Sequence, residues 1–270
     1  LKTQHGNAVD VLYFSLDQQA REAKDLLSDK GVRTFEADLR ASERFLMERF
    51  IHSAVSFVGK GEMKNGLMTY LNPQIKASHS RYWQRPDLSV LSFDIETSME
   101  GELFSIALDF HSSQRPENRE KSVKLVLMKD ESGESQDRDS IYYFPDEASL
   151  LRSFLKTFSD LDPDVIIGWH VIGFDLMFLQ RKCQKLGLDF DIARGGNSPV
   201  FYEKKGSGYF AEVDGRLVID GPPTLRSAFY RFENFKLNTV ASELLGANKD
   251  IESGGAEKVE EIERRFREDK

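Results

Sequence analysis

Hydrophobic positions follow two different rhythms along the chain. In the first third, alternation marks 9-VDVLYFSL-16 as a strand, and a polar helical repeat follows through 18-QQAREAKDLLS-28, with Gly31 placed to end it. A second strand is expected at 32-VRTFEA-37 and a helix near residues 42–51. A hairpin then follows, its strands 54-AVSFVG-59 and 67-LMTYL-71 flanking the turn-rich 60-KGEMKNG-66. The segment 72-NPQIKASHSRYWQRPD-87 is polar, holds two prolines and keeps no period, so a domain boundary is placed within it. The division predicted is a small α/β N-terminal domain over residues 1–80 and a second α/β domain over residues 81–270.

From Leu88 the rhythm becomes strands first, then alternating helices and strands. Strands are expected over residues 89–96, 102–110, 123–128 and 141–144. A helix capped by Asp146 follows, with Leu150, Leu151, Phe154, Leu155 and Phe158 at helical spacing, and Asp162 with Pro163 stops it. The run 164-DVIIGW-169 is short, continuously apolar and bounded by turn signals, the pattern of a central parallel strand. The next helix is predicted from Phe174 to Leu186 with Gly187 just past its end. A hairpin within residues 200–220 turning at Gly206 to Gly208, and helical segments at 236–246 and 256–266, complete the expected elements.

Composition narrows the function. At 270 residues the chain has room for one large or two ordinary domains. The net charge of −8 argues against a protein that coats nucleic acid through bulk electrostatics. The acidic excess lies beyond residue 88, the first 87 residues being slightly basic. No apolar run approaches the roughly 20 residues that span a bilayer, and no charged-then-apolar leader precedes the first predicted strand, so no membrane partner is expected. The single cysteine, Cys183, excludes an internal disulfide and suits a reducing compartment, which makes the cytoplasm the expected location. A start at Leu1 and an end in 261-EIERRFREDK-270 suggest an excised fragment.

Chemistry enters at 88-LSVLSFDIETS-98, a strand with two carboxylates near its end. Successive strand side chains point to opposite faces, so Asp94 and Glu96 share one face and Leu91, Phe93 and Ile95 the other. Two neighbouring anions repel, and each resists leaving water; either the strand reaches solvent at this point or a divalent cation lies between the acids. A further acid, Asp175, sits in the first turn of the helix that follows 164-DVIIGW-169. It is read either as a partner of the helix dipole or as site chemistry, because the ends of strands in an open α/β sheet are where ligands gather.

These residues resemble the proofreading 3′→5′ exonuclease domain of family B DNA polymerases, most closely that of its bacterial members. The first exonuclease motif, Asp-Ile-Glu, stands as Asp94-Ile95-Glu96; the second, ending in Phe-Asp, stands as His170-Val171-Ile172-Gly173-Phe174-Asp175. The stretch 217-LVIDGPPTLRSAFYRFENFKLNTVASELLG-246 is similar to the family's segment between its second and third motifs, and a weaker similarity reaches residues 32–51. The resemblance implies a ribonuclease H-like mixed sheet in which the Asp94 strand and the strand ending at Trp169 are neighbours, bringing Asp94, Glu96 and Asp175 together. His170 stands where the family has asparagine near the substrate terminus. The third motif, with a fourth metal-binding aspartate, and the polymerase palm motifs are not found within these 270 residues.

Implied with the family are two divalent ions, Mg²⁺ with Mn²⁺ as substitute, because carboxylates are hard oxygen ligands. Asp94 would bridge both ions, Glu96 would help hold the one carrying the attacking water, and Asp175 the one on the leaving-group side. The substrate would be a frayed single-stranded 3′ end of DNA, with Leu103, His170 and Phe174 as candidate substrate contacts. In the parent chain a polymerase domain, and a sliding-clamp contact through its C-terminal part, would be the partners. With one acid missing, this segment would fold but hydrolyse poorly. The alternatives are a stand-alone 3′→5′ exonuclease of the same fold and a non-catalytic scaffold that binds nucleic acid or protein.

Overall fold

The computed structural model describes residues 1–3, 5–64, 67–78, 86–112, 121–132, 139–206, 208–247, 264 and 266. The chain divides into two compact units, Leu1–Glu62 with Met68–Gln84, and Met63–Leu67 with Arg85–Lys270. The helix predicted over 256–266 lies, but for residues 264 and 266, outside the described residues. Among the described residues no helix is long and apolar enough to cross a membrane.

The first unit holds two helices, α1 (Asp17–Asp29) and α2 (Ala41–Glu48), and short strands β1 (Val55–Val58), β2 (Gly61–Lys64), β3 (Leu67–Tyr70) and β4 (Gln74–Ala77), some of whose residues fall in the second unit. Three expectations fail here. Residues 9–16 and 32–37 form no strand, since no neighbouring strand completes a ladder beside them. The hairpin is also offset: β2 pairs with β3, while β1 pairs antiparallel with β4. The polar segment expected to be a linker therefore contributes a strand.

The second unit is built on a six-stranded mixed sheet. Its strands are β5 (Val90–Thr97), β6 (Leu103–Ser112), β7 (Lys121–Lys129), β8 (Ile141–Phe144), β9 (Val165–Gly168) and β12 (Leu217–Asp220), in spatial order β12-β9-β5-β6-β7-β8. β5 runs antiparallel to β6 and parallel to β9, which is itself parallel to β12. This is the ribonuclease H-like arrangement implied by the sequence, with the Asp94 strand beside the strand that leads to Trp169. Asp164, just before β9, accepts hydrogen bonds from the N–H and Oγ of Ser89 at 2.9 Å each, which ties the starts of β9 and β5 together.

One face of the sheet is covered. Leu91, Phe93 and Ile95 point into a single apolar cluster with Leu150, Phe154 and Phe158 of α3 (Glu147–Leu161), and with Leu179 and Cys183 of α4 (Met177–Lys185). Each fully buried side chain of this kind contributes about 1.5–3 kcal/mol. Asp146 caps α3 as expected, accepting the Ser149 N–H at 2.7 Å. The helix predicted from Phe174 instead opens as a π turn over Ile172–Leu176, with Leu176 N–H donating to Val171 C=O, and only then becomes α4. A hairpin of β10 (Val200–Lys204) and β11 (Gly208–Glu212) forms as predicted. An unpredicted helix, α5 (Gly221–Ser227), starts directly after β12, with prolines in its first turn, and α6 (Leu237–Leu245) follows.

Candidate functional site

The alternation of β5 decides which side chains leave the core. Ile95 is buried, while Asp94 is exposed and Glu96 half-buried on the opposite face. Their cross-strand partners on β6 are the small Ala107 and Ser105, so neither carboxylate is crowded from that side. Asp94 lines a shallow groove of about 370 Å³ on this face, together with Ser92, Ala107, Lys124 and Val126.

Asp175 reaches the same strand from its edge. β9 pairs with β5 only as far as Ser92, because it ends at Gly168. The Ile95 N–H beyond that point has no rung from β9, and Asp175 Oδ1 accepts it at 3.1 Å. Asp175 is 1% exposed. Burial, then the charge of Asp94 and, more weakly, that of Asp220, push its carboxyl up to about 7, against the pull of the Ile95 N–H. Asp94 and Asp175 are thus within electrostatic reach of each other, on the end of β5 where Glu96 also stands.

The donor chemistry suits a hard divalent cation: acidic oxygens only, one of them in a site that resists ionisation unless positive charge is supplied. Among the described residues, no three His, Cys, Asp or Glu side chains gather closely enough to hold an ion. Asp175 directs its carboxylate onto the backbone of Ile95, while Asp94 is exposed on the outer face of β5.

The predicted substrate contacts separate. His170 is exposed and left-handed, with φ 60°, at the junction of β9 and the π turn. Phe174 is 47% exposed, its ring tilted against Phe178 at 6.1 Å, and it offers a free aromatic surface beside Asp175. Leu103 is a correction. It is fully buried and has no surface to present to a base. A register shift between Glu96 and Thr97 brings Leu103 opposite Thr97, and the irregularity turns its side chain into the core.

Two features of the site escaped sequence reasoning. Gly173 leaves room for Tyr209 of β11, whose ring would stand 2.6 Å from an added Cβ, so the hairpin rests on the π turn. Asp220, the last residue of β12, is buried and accepts the N–H groups of His170 at 2.8 Å and Ile172 at 3.4 Å. Burial raises its carboxyl, and the two N–H groups oppose the shift. A carboxylate closing a short apolar strand, just before Gly-Pro-Pro, was the available signal.

Comparisons with known proteins agree with this geometry. A model of the family described as "DNA polymerase family B, exonuclease domain" matches residues 32–240. The chain is 38% identical over 273 aligned residues to DNA polymerase II of Escherichia coli K12, covering 100% of this chain and 33% of that protein. It is 28% identical over 256 residues to a DNA polymerase of Thermococcus kodakarensis, covering 91% of this chain and 13% of the other. In fold it is similar to the family B DNA polymerase from Pyrobaculum calidifontis, with a TM-score of 0.51 at 20% identity over 86% of this chain and 28% of that one. The chain therefore spans a third or less of the length of these relatives.

Proposed function

Because the chain belongs to DNA polymerase family B, as its exonuclease domain, we propose that it forms the 3′→5′ proofreading site of a DNA polymerase. The reaction is hydrolysis of the last phosphodiester of a frayed, single-stranded 3′ end of DNA. Asp94, Glu96 and Asp175 hold two divalent cations, Mg²⁺ or in its place Mn²⁺. The observation that carries this reading is the buried Asp175 carboxylate, seated on the N–H of Ile95, which lies between the two acids of the strand, and raised by burial and then by the charge of Asp94. When bound, the ions supply an activated water, neutralise phosphate charge and stabilise the departing 3′ oxygen.

The chain's own residues do the rest. Asp94 presents its carboxylate on the exposed face of the strand, while Asp175 is held at the strand edge by the Ile95 N–H. Glu96, on the face of Asp94, supplies the third acidic group. Phe174 gives the terminal base a ring to stack on, a contact worth about 1–3 kcal/mol, and His170 meets the terminal nucleotide. In the whole protein, a polymerase domain in the same cytoplasmic chain extends the end that this site trims.

The test is digestion of a 5′-labelled single-stranded oligonucleotide with Mg²⁺ by the polymerase that contains this segment. Asp94→Ala is expected to slow 3′ shortening by about 10²-fold or more while nucleotide addition continues. Unchanged shortening in that variant would overturn the assignment.

A further inference from the structure

Asp220 makes two hydrogen bonds that the hydrolytic reading leaves without a role. β12 lies in parallel register with β9, Asp220 opposite Gly168, so its carboxylate emerges beside the point where β9 ends. One oxygen accepts the His170 N–H at 2.8 Å and the other the Ile172 N–H at 3.4 Å. Its own backbone is anchored in turn, its C=O accepting the Thr224 hydroxyl of α5 at 2.6 Å. A buried carboxylate spent on backbone N–H groups, rather than on a cation, is a device for fixing a turn.

The turn it fixes leads directly to Asp175. His170 adopts φ 60°, a left-handed conformation that an L residue keeps where its surroundings hold it. The π turn hangs from two residues of this turn: Phe174 N–H donates to His170 C=O at 3.0 Å and Leu176 N–H to Val171 C=O at 2.8 Å. Asp175 lies between these two rungs, and its carboxylate meets Ile95 N–H 3.1 Å away. A rotation of the His170–Ile172 turn therefore moves Asp175 along the edge of β5.

We propose that Asp220 is a positioning residue for the exonuclease reaction, fixing the His170–Ile172 turn and through it the seat of the Asp175 carboxylate. The consequence for rate rests on the hydrolytic reading of the site; the consequence for geometry does not. The experiment therefore has two arms. In the first, amide hydrogen exchange is measured by NMR on this chain for wild type, Asp220→Asn and Asp220→Ala. Asp220→Ala is expected to speed exchange about tenfold or more at His170, Ile172 and Ile95, with the middle of α3 unchanged. Asp220→Asn keeps one acceptor oxygen, so it should spare His170 more than Ile172 and still loosen Ile95. Wild-type protection at Ile95 in both variants would overturn the proposal, because Asp220 would then cap a turn with no hold on Asp175. If Asp220→Ala does not fold, the Ile95 amide of Asp220→Asn decides alone.

In the second arm, Asp220→Asn in the whole polymerase is expected to lower kcat for 3′ shortening about tenfold with KM nearly unchanged, and to leave nucleotide addition intact. A loss carried by KM would make Asp220 a substrate-binding group and overturn the positioning role. A wild-type polymerase without any 3′ shortening would overturn the hydrolytic reading, and the exchange arm would still decide the positioning.

Discussion

α1 and α3 have similar lengths, 13 and 15 residues, and both are amphipathic, yet they meet opposite fates. α3 buries Leu150, Leu151, Phe154 and Phe158 against a six-stranded sheet; α1 has no buried residue. The sheets that begin in the first unit have two strands each, and large side chains such as Tyr13 and Phe50 stand 86% and 74% exposed. An apolar stripe is stabilised only by a surface wide enough to cover it, and a two-stranded ribbon is marginal as such a surface. The acids proposed to be catalytic are carried by the unit whose stripes are covered, where backbone positions are held tightly enough to place a carboxylate on a single N–H.

The sharpest way to break this contrast is to remove one aromatic ring from each region. Phe154 is fully buried, with Phe93 and Phe158 rings centred 5.8 and 5.9 Å away. Phe154→Ala should cost about 3–5 kcal/mol through lost burial and the cavity left behind. Phe50→Ala should stay within about 0.5 kcal/mol, as exposed substitutions do. Urea unfolding followed by circular dichroism measures both, and equal losses would dissolve the contrast.

A second effect belongs to the sheet unit alone. The Asp175 carboxyl titrates near 7 in the folded chain and near 3.8 when unfolded. Between these values the folded state binds the extra proton, so stability falls as pH rises from about 4 to 7 and then levels. Asp175→Asn should therefore stabilise the metal-free chain at pH 8 by about 2–4 kcal/mol, with the gain vanishing below pH 4. Thermal unfolding across pH reads this directly. A stability that rises through this window in wild type and not in the variant would contradict the burial argument.

What the sequence discloses about these two regions differs for physical reasons. Asp94 and Glu96 were legible because strand parity is local, and Asp175 because it follows a strand end. Asp220 was not, because its partners lie 50 and 48 residues away and are adjacent only through the pairing of β12 with β9. Leu103, named only as an apolar side chain near the motif, lies in the core because a register shift beside it turns it inward. The π turn over Ile172–Leu176 has no local signature that distinguishes it from an α-helix. Near the N-terminus, 9-VDVLYFSL-16 has the alternation of a strand without a partner, and 61-GEMK-64 lacks that alternation but pairs with β3.

The smallest expected effect concerns how the helices of the two regions begin. At α3 the Asp146 carboxylate accepts the Ser149 N–H at 2.7 Å, and that bond holds its carboxyl below the usual range. At α1 and α2 the corresponding positions are Leu16 and Arg40, and neither side chain makes a capping hydrogen bond. Asp146→Ala should lower the melting temperature of the sheet unit slightly at neutral pH. Because the folded-state carboxyl is depressed, its contribution is present above the unfolded value and is lost as pH falls through the folded one, so wild type and variant should converge in acid. The complementary change, Arg40→Asp, gives α2 the acceptor it lacks and should raise helicity in the first unit by a small, measurable amount in far-ultraviolet circular dichroism. If Arg40→Asp has no effect while Asp146→Ala does, a helix whose stripe is uncovered does not profit from its cap, and the contrast between the two regions is set by burial alone.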